Sequence, residues 1–325
     1  MDDPLDTRAS ILSSRLVIVT GKGGTGKTTV AATLALAAAG RGLRVLLAEV
    51  GRTEQAPSLI APGTRSVGHA GRELVPGLRA MRIDPFEALG EYLGLQLGDA
   101  VANRVVGNRG FRQLMTATPG WRELITLGKI WHLEQQRVQA KPVVDLIVVD
   151  APATGHGLTF LDVPRLVASA VRSGPLRRNA SEVERLLADP GRTRLLPVAL
   201  AEELPVRETQ ELVERLRSEL GISTDRVVVN AVEPDPLPPE LGDLPERLSS
   251  LGSQKVGRLG PATLAACLEH RRARHALHRH HVRELARTTG LPLAVLPYRS
   301  GGVSGPDDLA ALAAPLLAEP VPGDA

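Results

Sequence analysis

Gly21-Lys-Gly-Gly-Thr-Gly-Lys-Thr-Thr29 holds four glycines, two lysines and three threonines. The Gly21-x-x-x-x-Gly26-Lys27-Thr28 spacing suits one task, wrapping the phosphates of a nucleotide. Gly21, Gly23, Gly24 and Gly26 let the backbone bend so that consecutive N–H groups, that of Thr25 among them, point at phosphate oxygens. In such a loop Lys27 reaches the β- and γ-phosphates and the Thr28 hydroxyl holds Mg²⁺. Thr29 adds the positive end of the following helix. Lys22, at the front of the loop, is a second cation, useful where negative charge gathers during phosphoryl transfer. Asp150 ends the apolar run Val143-Val-Asp-Leu-Ile-Val-Val-Asp150, as expected of the carboxylate that orients Mg²⁺ through water. Buried there without a metal, its charge would be costly. These residues predict Mg·ATP binding, with Lys22, Lys27 and Asp150 as the catalytic set.

The elements around them suit that task. An apolar run, Leu16 to Val19, enters the loop, and an alanine- and leucine-rich helix from Lys27 to about Ala39 leaves it, stopped by Gly40 and Gly42. Further strand candidates are Val45 to Val50, Leu78 to Asp84, Val143 to Asp150, Leu195 to Leu200, Val227 to Val232 and Leu291 to Leu296. Helical patterns alternate with them, notably Val206 to Leu220 and Ala262 to Arg287. The order predicts an α/β fold with a doubly wound, mainly parallel sheet of the seven-strand class. Residues 1–14 read as a polar lead-in and residues 15–325 as a single domain. Two runs, about 86–139 and 163–189, are helical without strands and predict an inserted helical subdomain above the carboxyl ends of the strands. Pro234-Asp-Pro-Leu-Pro-Pro239 reads as a rigid exposed linker.

Composition narrows the class. The chain has 325 residues, 43% hydrophobic and only 2% aromatic, so the core must be aliphatic. The 39 Lys plus Arg against 36 Asp plus Glu leave +3, too little for nucleic acid unless clustered. One cluster exists, His270-Arg-Arg-Ala-Arg-His-Ala-Leu-His-Arg-His-His-Val-Arg283, in which His278 and His281 share a helix face. A solvated basic helix is its default reading. A single cysteine, Cys267, leaves no internal disulfide and no Cys-x-x-Cys pair. An acidic start and no apolar stretch near the ~20 residues of a bilayer span predict a cytoplasmic, non-transmembrane protein.

The loop, with lysine beside its first glycine, resembles the deviant phosphate loop of the ParA, MinD, nitrogenase iron-protein and ArsA families. That resemblance implies a dimer in which Lys22 contacts the nucleotide of the partner subunit. Asp150-Ala-Pro-Ala-Thr-Gly-His-Gly-Leu-Thr-Phe-Leu-Asp-Val-Pro164 resembles the γ-phosphate switch of the ArsA and tail-anchored-protein-targeting ATPases. It implies a backbone N–H from Gly155 to the phosphate; His156 matches the pattern without an assigned proton-transfer role. Leu200-Ala-Glu-Glu-Leu-Pro-Val-Arg-Glu-Thr209 is similar to a further family segment, with Ala201 in place of proline. Asn230 stands where the family sets an asparagine on adenine, and Pro297 and Tyr298 where a loop packs over the base.

Departures are equally informative. The family's tail-anchored-protein targeting members carry a water-positioning aspartate after the second strand, whereas this chain reads Glu49-Val-Gly-Arg-Thr-Glu-Gln-Ala-Pro-Ser58. The only nearby carboxylates, Glu49 and Glu54, are not assigned as the base. The Glu-Val…Gly-Arg form is similar to actinobacterial anion-transporting-ATPase homologues, in some of which two related chains act together. The resemblance therefore implies an ATPase with slow or partner-dependent turnover, as homodimer or heterodimer, whose helical subdomain binds an unknown client. One cysteine rules out an arsenite thiol triad and a dimer-bridging zinc. Three methionines, of which only Met115 lies in the first helical run, speak against a methionine-rich membrane-protein groove. Two alternatives stay open: a non-hydrolytic regulatory half of a heterodimer, and a ParA-like nucleic-acid-associated switch supported only by the basic helix.

Overall fold

Leu16–Thr20 (β1) is buried at every position, as are Val45–Glu49 and Leu146–Asp150 on the strands nearby. Runs apolar on both faces belong in the middle of a covered parallel sheet. The computed structural model describes residues 11–51, 53–251 and 260–318; most of the expected lead-in and the last residues of the tail lie outside them. After β1 come α1 (Lys27–Ala39), β2 (Val45–Glu49), α2 (Ala56–Ile60), β3 (Arg72–Val75) and β4 (Leu78–Arg82). Four helices follow, α3 (Pro85–Leu97), α4 (Asp99–Gly107), α5 (Arg109–Ala117) and α6 (Trp121–Gln135), then the small hairpin β5 (Arg137–Val138) and β6 (Lys141–Pro142). Next are β7 (Leu146–Asp150), α7 (Thr154–Ala170), α8 (Pro175–Ala188), β8 (Thr193–Leu200) and α9 (Glu203–Arg215). The chain continues through β9 (Val227–Val232), α10 (Leu244–Ser250), α11 (Pro261–Thr289), β10 (Leu293–Pro297) and α12 (Pro306–Leu317).

The main sheet has the order β10-β9-β8-β1-β7-β2-β4-β3. Neighbours from β10 to β4 pair in parallel, and β3 adds an antiparallel edge. Seven parallel strands therefore match the expected class, and the eighth was not foreseen. Arg72-Glu-Leu-Val75 is half exposed, as an edge strand can be, and it turns back through Pro76-Gly77, where Gly77 has φ 80°. Alternate residues of β1 enter different cores. Val17 and Val19 pack with Val30 and Leu34 of α1 and Leu309 and Leu312 of α12. Leu16 and Ile18 pack on the other face with Leu127, Ile130, Phe160, Val183 and Leu212.

Helix ends follow local chemistry. Asp84 accepts hydrogen bonds from the N–H groups of Phe86 and Glu87, and Pro85 opens α3; Asn108 caps α5 through Phe111 N–H. Some expectations shift. The second helical run starts at Thr154, ahead of Val163, because α7 begins directly after the Asp150-Ala-Pro-Ala segment. The proline segment after β9 is not a wholly exposed linker, since Leu237 is only 8% exposed. Ile11 of the expected lead-in is also buried. Among the described residues, no helix is long and apolar enough to cross a membrane.

Phe160 heads the fully buried side chains by size and anchors α7 against the sheet. Phe160→Ala is expected to cost about 3–5 kcal/mol. The check is a lowered urea midpoint with an unchanged slope, the signature of lost stability rather than altered compactness.

Candidate functional site

Parallel, in-register pairing lines up three carboxyl ends, with Val19 of β1 beside Asp150 of β7 and Asp150 beside Glu49 of β2. The glycine loop leaves β1 at this edge. Gly21 has φ 142° and lies so close to β8 that a Cβ would overlap the Val198 carbonyl oxygen. Gly26, the N-cap of α1, has φ 89°, and a Cβ there would collide with the Asn230 amide. Backbone and space both require glycine at Gly21, where the clash is with main chain, and the left-handed φ requires it at Gly26.

The loop gathers most of the residues expected of a nucleotide site. Thr28 Oγ1 donates to Asp150 Oδ2 at 2.6 Å. Lys27 Nζ and Thr25 Oγ1 both donate to the Lys22 carbonyl, at 2.9 and 3.0 Å. Thr29 follows in the first turn of α1, and Gly24 has φ 84° and open space around it. A Cβ on Gly23 would sit 3.8 Å from Ala153, so the loop abuts the segment that follows Asp150. Lys22 is ion-paired with Glu208 of α9, a partner not singled out from sequence. His156 and Arg52 fall outside the described side chains, so the expectation for His156 has no structural counterpart.

Burial sets the charges. Burial pulls the Lys27 ammonium below its ordinary pKa, with Asp150 opposing. Burial pushes the Asp150 carboxyl up, against the Thr28 hydrogen bond and the Lys27 charge. Among the described residues, Asp150 Oδ1 is buried with no hydrogen-bond partner. An orphaned carboxylate oxygen beside a threonine hydroxyl and a glycine cradle fits Mg²⁺ with nucleotide phosphates. Glu49 is 3% exposed. Its Oε1 accepts from the N–H groups of Gln55 and Ala56 at 2.8 and 3.0 Å, and its Oε2 is buried and unpartnered among the described residues. Burial raises its pKa, those two bonds oppose, and Asp150 adds to the rise. Glu54 is different. Burial alone would raise it, but Val67 N–H, Gly68 N–H, the Ser66 hydroxyl and Arg82 together hold it below the ordinary range.

The far side of the loop is built by β9 and β10. Asn230 Nδ2 donates to the Thr25 carbonyl at 2.9 Å. Pro297 pairs with Val232, and Tyr298 N–H donates to the Val232 carbonyl at 2.8 Å. Ala231, with φ 55°, twists the strand between them, a conformation costing on the order of 1 kcal/mol for a non-glycine residue. The basic helix is tied to this edge rather than simply solvated. Arg271 pairs with the buried Glu233 carboxylate, His275 Nδ1 lies 2.8 Å from the Glu233 carbonyl, and Arg274 stacks over Tyr298. His278 is 5% exposed, and its Nδ1 accepts from Glu233 N–H at 2.9 Å. Arg274 Nε donates toward the ring's Nε2 at 3.5 Å, so both ring nitrogens face protein donors. His278 is not part of the described His280, His281 and Glu284 grouping, whose ligand atoms lie within 4.8 Å of one another.

A family model described as anion-transporting ATPase matches residues 14–174 and 176–241. ATPase BagA of Mycobacterium tuberculosis is 38% identical over 231 residues, covering 70% of this chain and 67% of that one. The ATPase GET3 of Pyricularia oryzae is 29% identical over 272 residues, covering 71% and 76%. The arsenical pump-driving ATPase of Acidiphilium multivorum is 29% identical over 235 residues, covering 66% of this chain and 39% of that one.

Burial, then Arg274, depress the His278 pKa against the pull of Glu202 and Glu233. A histidine held neutral contributes stability above its unfolded pKa that is lost as pH falls below about 6.5 toward the depressed folded value. The parent is therefore expected to lose melting temperature on acidification more steeply than His278→Asn, whose side-chain oxygen accepts the same bond without titrating. Thermal melts across that pH range check it; parallel curves would refute the assignment.

Proposed function

Because this chain belongs to the anion-transporting ATPase family, we infer that it binds Mg·ATP in the β1–α1 loop and hydrolyses it as one half of a nucleotide-gated dimer. The observation carrying this reading is the meeting of Lys27, Thr28 and Asp150 around a buried, unpartnered carboxylate oxygen. The N–H groups of Gly23, Gly24, Thr25, Gly26, Lys27, Thr28 and Thr29 hold the phosphates, and Lys27 exchanges the Lys22 carbonyl for β- and γ-oxygens. Thr28 holds Mg²⁺ directly and Asp150 through water. When bound, Mg²⁺ neutralises charge on the transferred phosphoryl group. Asn230, Pro297 and Tyr298 frame the adenine, and Gly155 N–H reaches the γ-phosphate.

Lys22 completes the site of the partner subunit. Its ion pair with Glu208 joins side chains that are 51% and 35% exposed, and such pairs contribute only ~0–1 kcal/mol. A contact that weak yields readily to a phosphate. Helices α3 to α8 act as the inserted subdomain and change shape as the dimer opens and closes. A cavity of about 890 Å³ between α3, α6 and α8, lined by Leu95, Ile125, Trp131, Leu176 and Val183, supports a client or partner held there. A cytoplasmic location fits this reading.

A second reading, the regulatory half of a heterodimer without turnover of its own, is favoured by one observation. Neither carboxylate near the expected water-positioning place is open to solvent and unengaged: Glu54 is held by four donors, and Glu49 is buried with one oxygen on the N–H groups of Gln55 and Ala56.

Phosphate release from Mg·ATP separates the two. The homodimeric reading expects turnover in the parent and a loss of about 10²-fold or more in Lys27→Ala and in Lys22→Ala. Mixing the two variants should recover part of the activity, because a site with Lys27 then meets a partner carrying Lys22. No recovery would place Lys22 in its own subunit's site. Tight ATP binding without release in the parent would favour the regulatory half.

A further inference from the structure

We propose that Glu49 is a second carboxylate of the divalent-cation site, and that it ties α2 to the cation bound with the nucleotide. The inference rests on the Mg·ATP reading and extends it to a residue that reading leaves without a role. β2 and β7 are parallel, with Glu49 and Asp150 as direct partners in register. Side chains so paired leave the same face of neighbouring strands roughly 5 Å apart. Glu49 is 3% and Asp150 9% exposed. Among the described residues, each carboxylate has one oxygen engaged and one buried without a partner: Glu49 Oε1 holds Gln55 and Ala56 N–H, and Asp150 Oδ2 holds the Thr28 hydroxyl.

Two buried, half-satisfied carboxylates side by side repel one another, and each orphaned oxygen is expensive. Lys27 relieves Asp150 only in part: its charge opposes the rise of that carboxyl, while its ammonium hydrogen-bonds the Lys22 carbonyl. A hard divalent cation beside Thr28 accounts for both free oxygens together, because carboxylates, hydroxyl and water are the ligands such ions take. The engaged oxygen of Glu49 gives this a consequence. Its two donors open α2, so a cation drawing on Oε2 fixes the carboxylate whose Oε1 caps that helix. Metal occupancy is thereby coupled to the α2 end of the segment that follows β2.

The test measures ATP affinity by calorimetry twice, in EDTA and in excess Mg²⁺, for the parent and for Glu49→Gln, which keeps size and an oxygen for the α2 N–H groups. The parent is expected to bind tighter with Mg²⁺, and Glu49→Gln to lose about tenfold of that gain, in line with the loss of a ligand-orienting partner, while its affinity in EDTA is equal or better. An unchanged Mg²⁺ gain in the variant overturns the proposal and leaves the Mg·ATP reading standing. No Mg²⁺ gain in the parent overturns both. Hydrogen exchange on the parent supplies a readout that needs no variant. Mg·ATP should slow the Gln55 and Ala56 amides beyond ATP in EDTA, and equal rates would overturn the coupling to α2. A proton shared by the two carboxylates would produce neither effect.

Discussion

The parallel register of β7 between β1 and β2 is the constraint on which the site depends. It sets Asp150 against the strand that delivers the glycine loop on one side and against Glu49 on the other. The strands that do so are fully buried, so slipping any of them by one residue would exchange the faces of Val17, Val19, Leu16 and Ile18 between two different cores. Hydrophobic burial thus holds charged and polar groups in an arrangement they would not adopt for their own sake. The residual electrostatic cost is visible in the raised carboxyls of Asp150 and Glu49 and in their orphaned oxygens.

Close approach does the rest on the glycine side. Gly21 lies under the Val198 carbonyl, Gly26 against Asn230, and Gly23 against Ala153. The loop consequently touches β8, β9 and the segment leading into α7, so a change in its shape reaches three elements without an intermediary. α7 carries Phe160 into the helix-side core, which links the Asp150 segment to α6 and α8 and to the cavity beside them. On the other flank, Glu233 binds β9 to α11 through a salt bridge, a backbone bond to His278 and a contact with His275. The basic helix is in this way part of the wall behind Asn230 and Tyr298.

Family membership and fold agree with this arrangement. The anion-transporting ATPase model spans the strand–loop–helix unit, the Asp150 segment and the helical layer. The arrangement after β2 has its own character, with Glu49 capping α2 and Glu54 drawn into the turn at Val67 and Gly68. Both acids there are occupied in holding backbone.

Spacing alone marked the glycine loop as the candidate phosphate site, because four glycines between a buried strand and a helix encode a backbone shape that needs no distant partner. Apolar runs determined seven parallel strands, and the strand end put Asp150 beside the glycine loop as the candidate carboxylate. The edge strand β3 escaped because Arg72-Glu-Leu-Val75 is half exposed and lacks such a run, although its Pro76-Gly77 turn was readable. The start of α7 escaped because the Ala-Pro…Gly-His motif resembles a loop until the chain is wound against the sheet. Only the tertiary structure decided the remaining pairings: Lys22 with Glu208, 186 residues apart, His278 with Glu233, and Glu49 beside Asp150. Those contacts are made by strand order and helix packing. Residue type makes each of them possible, and only the folded chain selects which carboxylate or histidine nitrogen is left free.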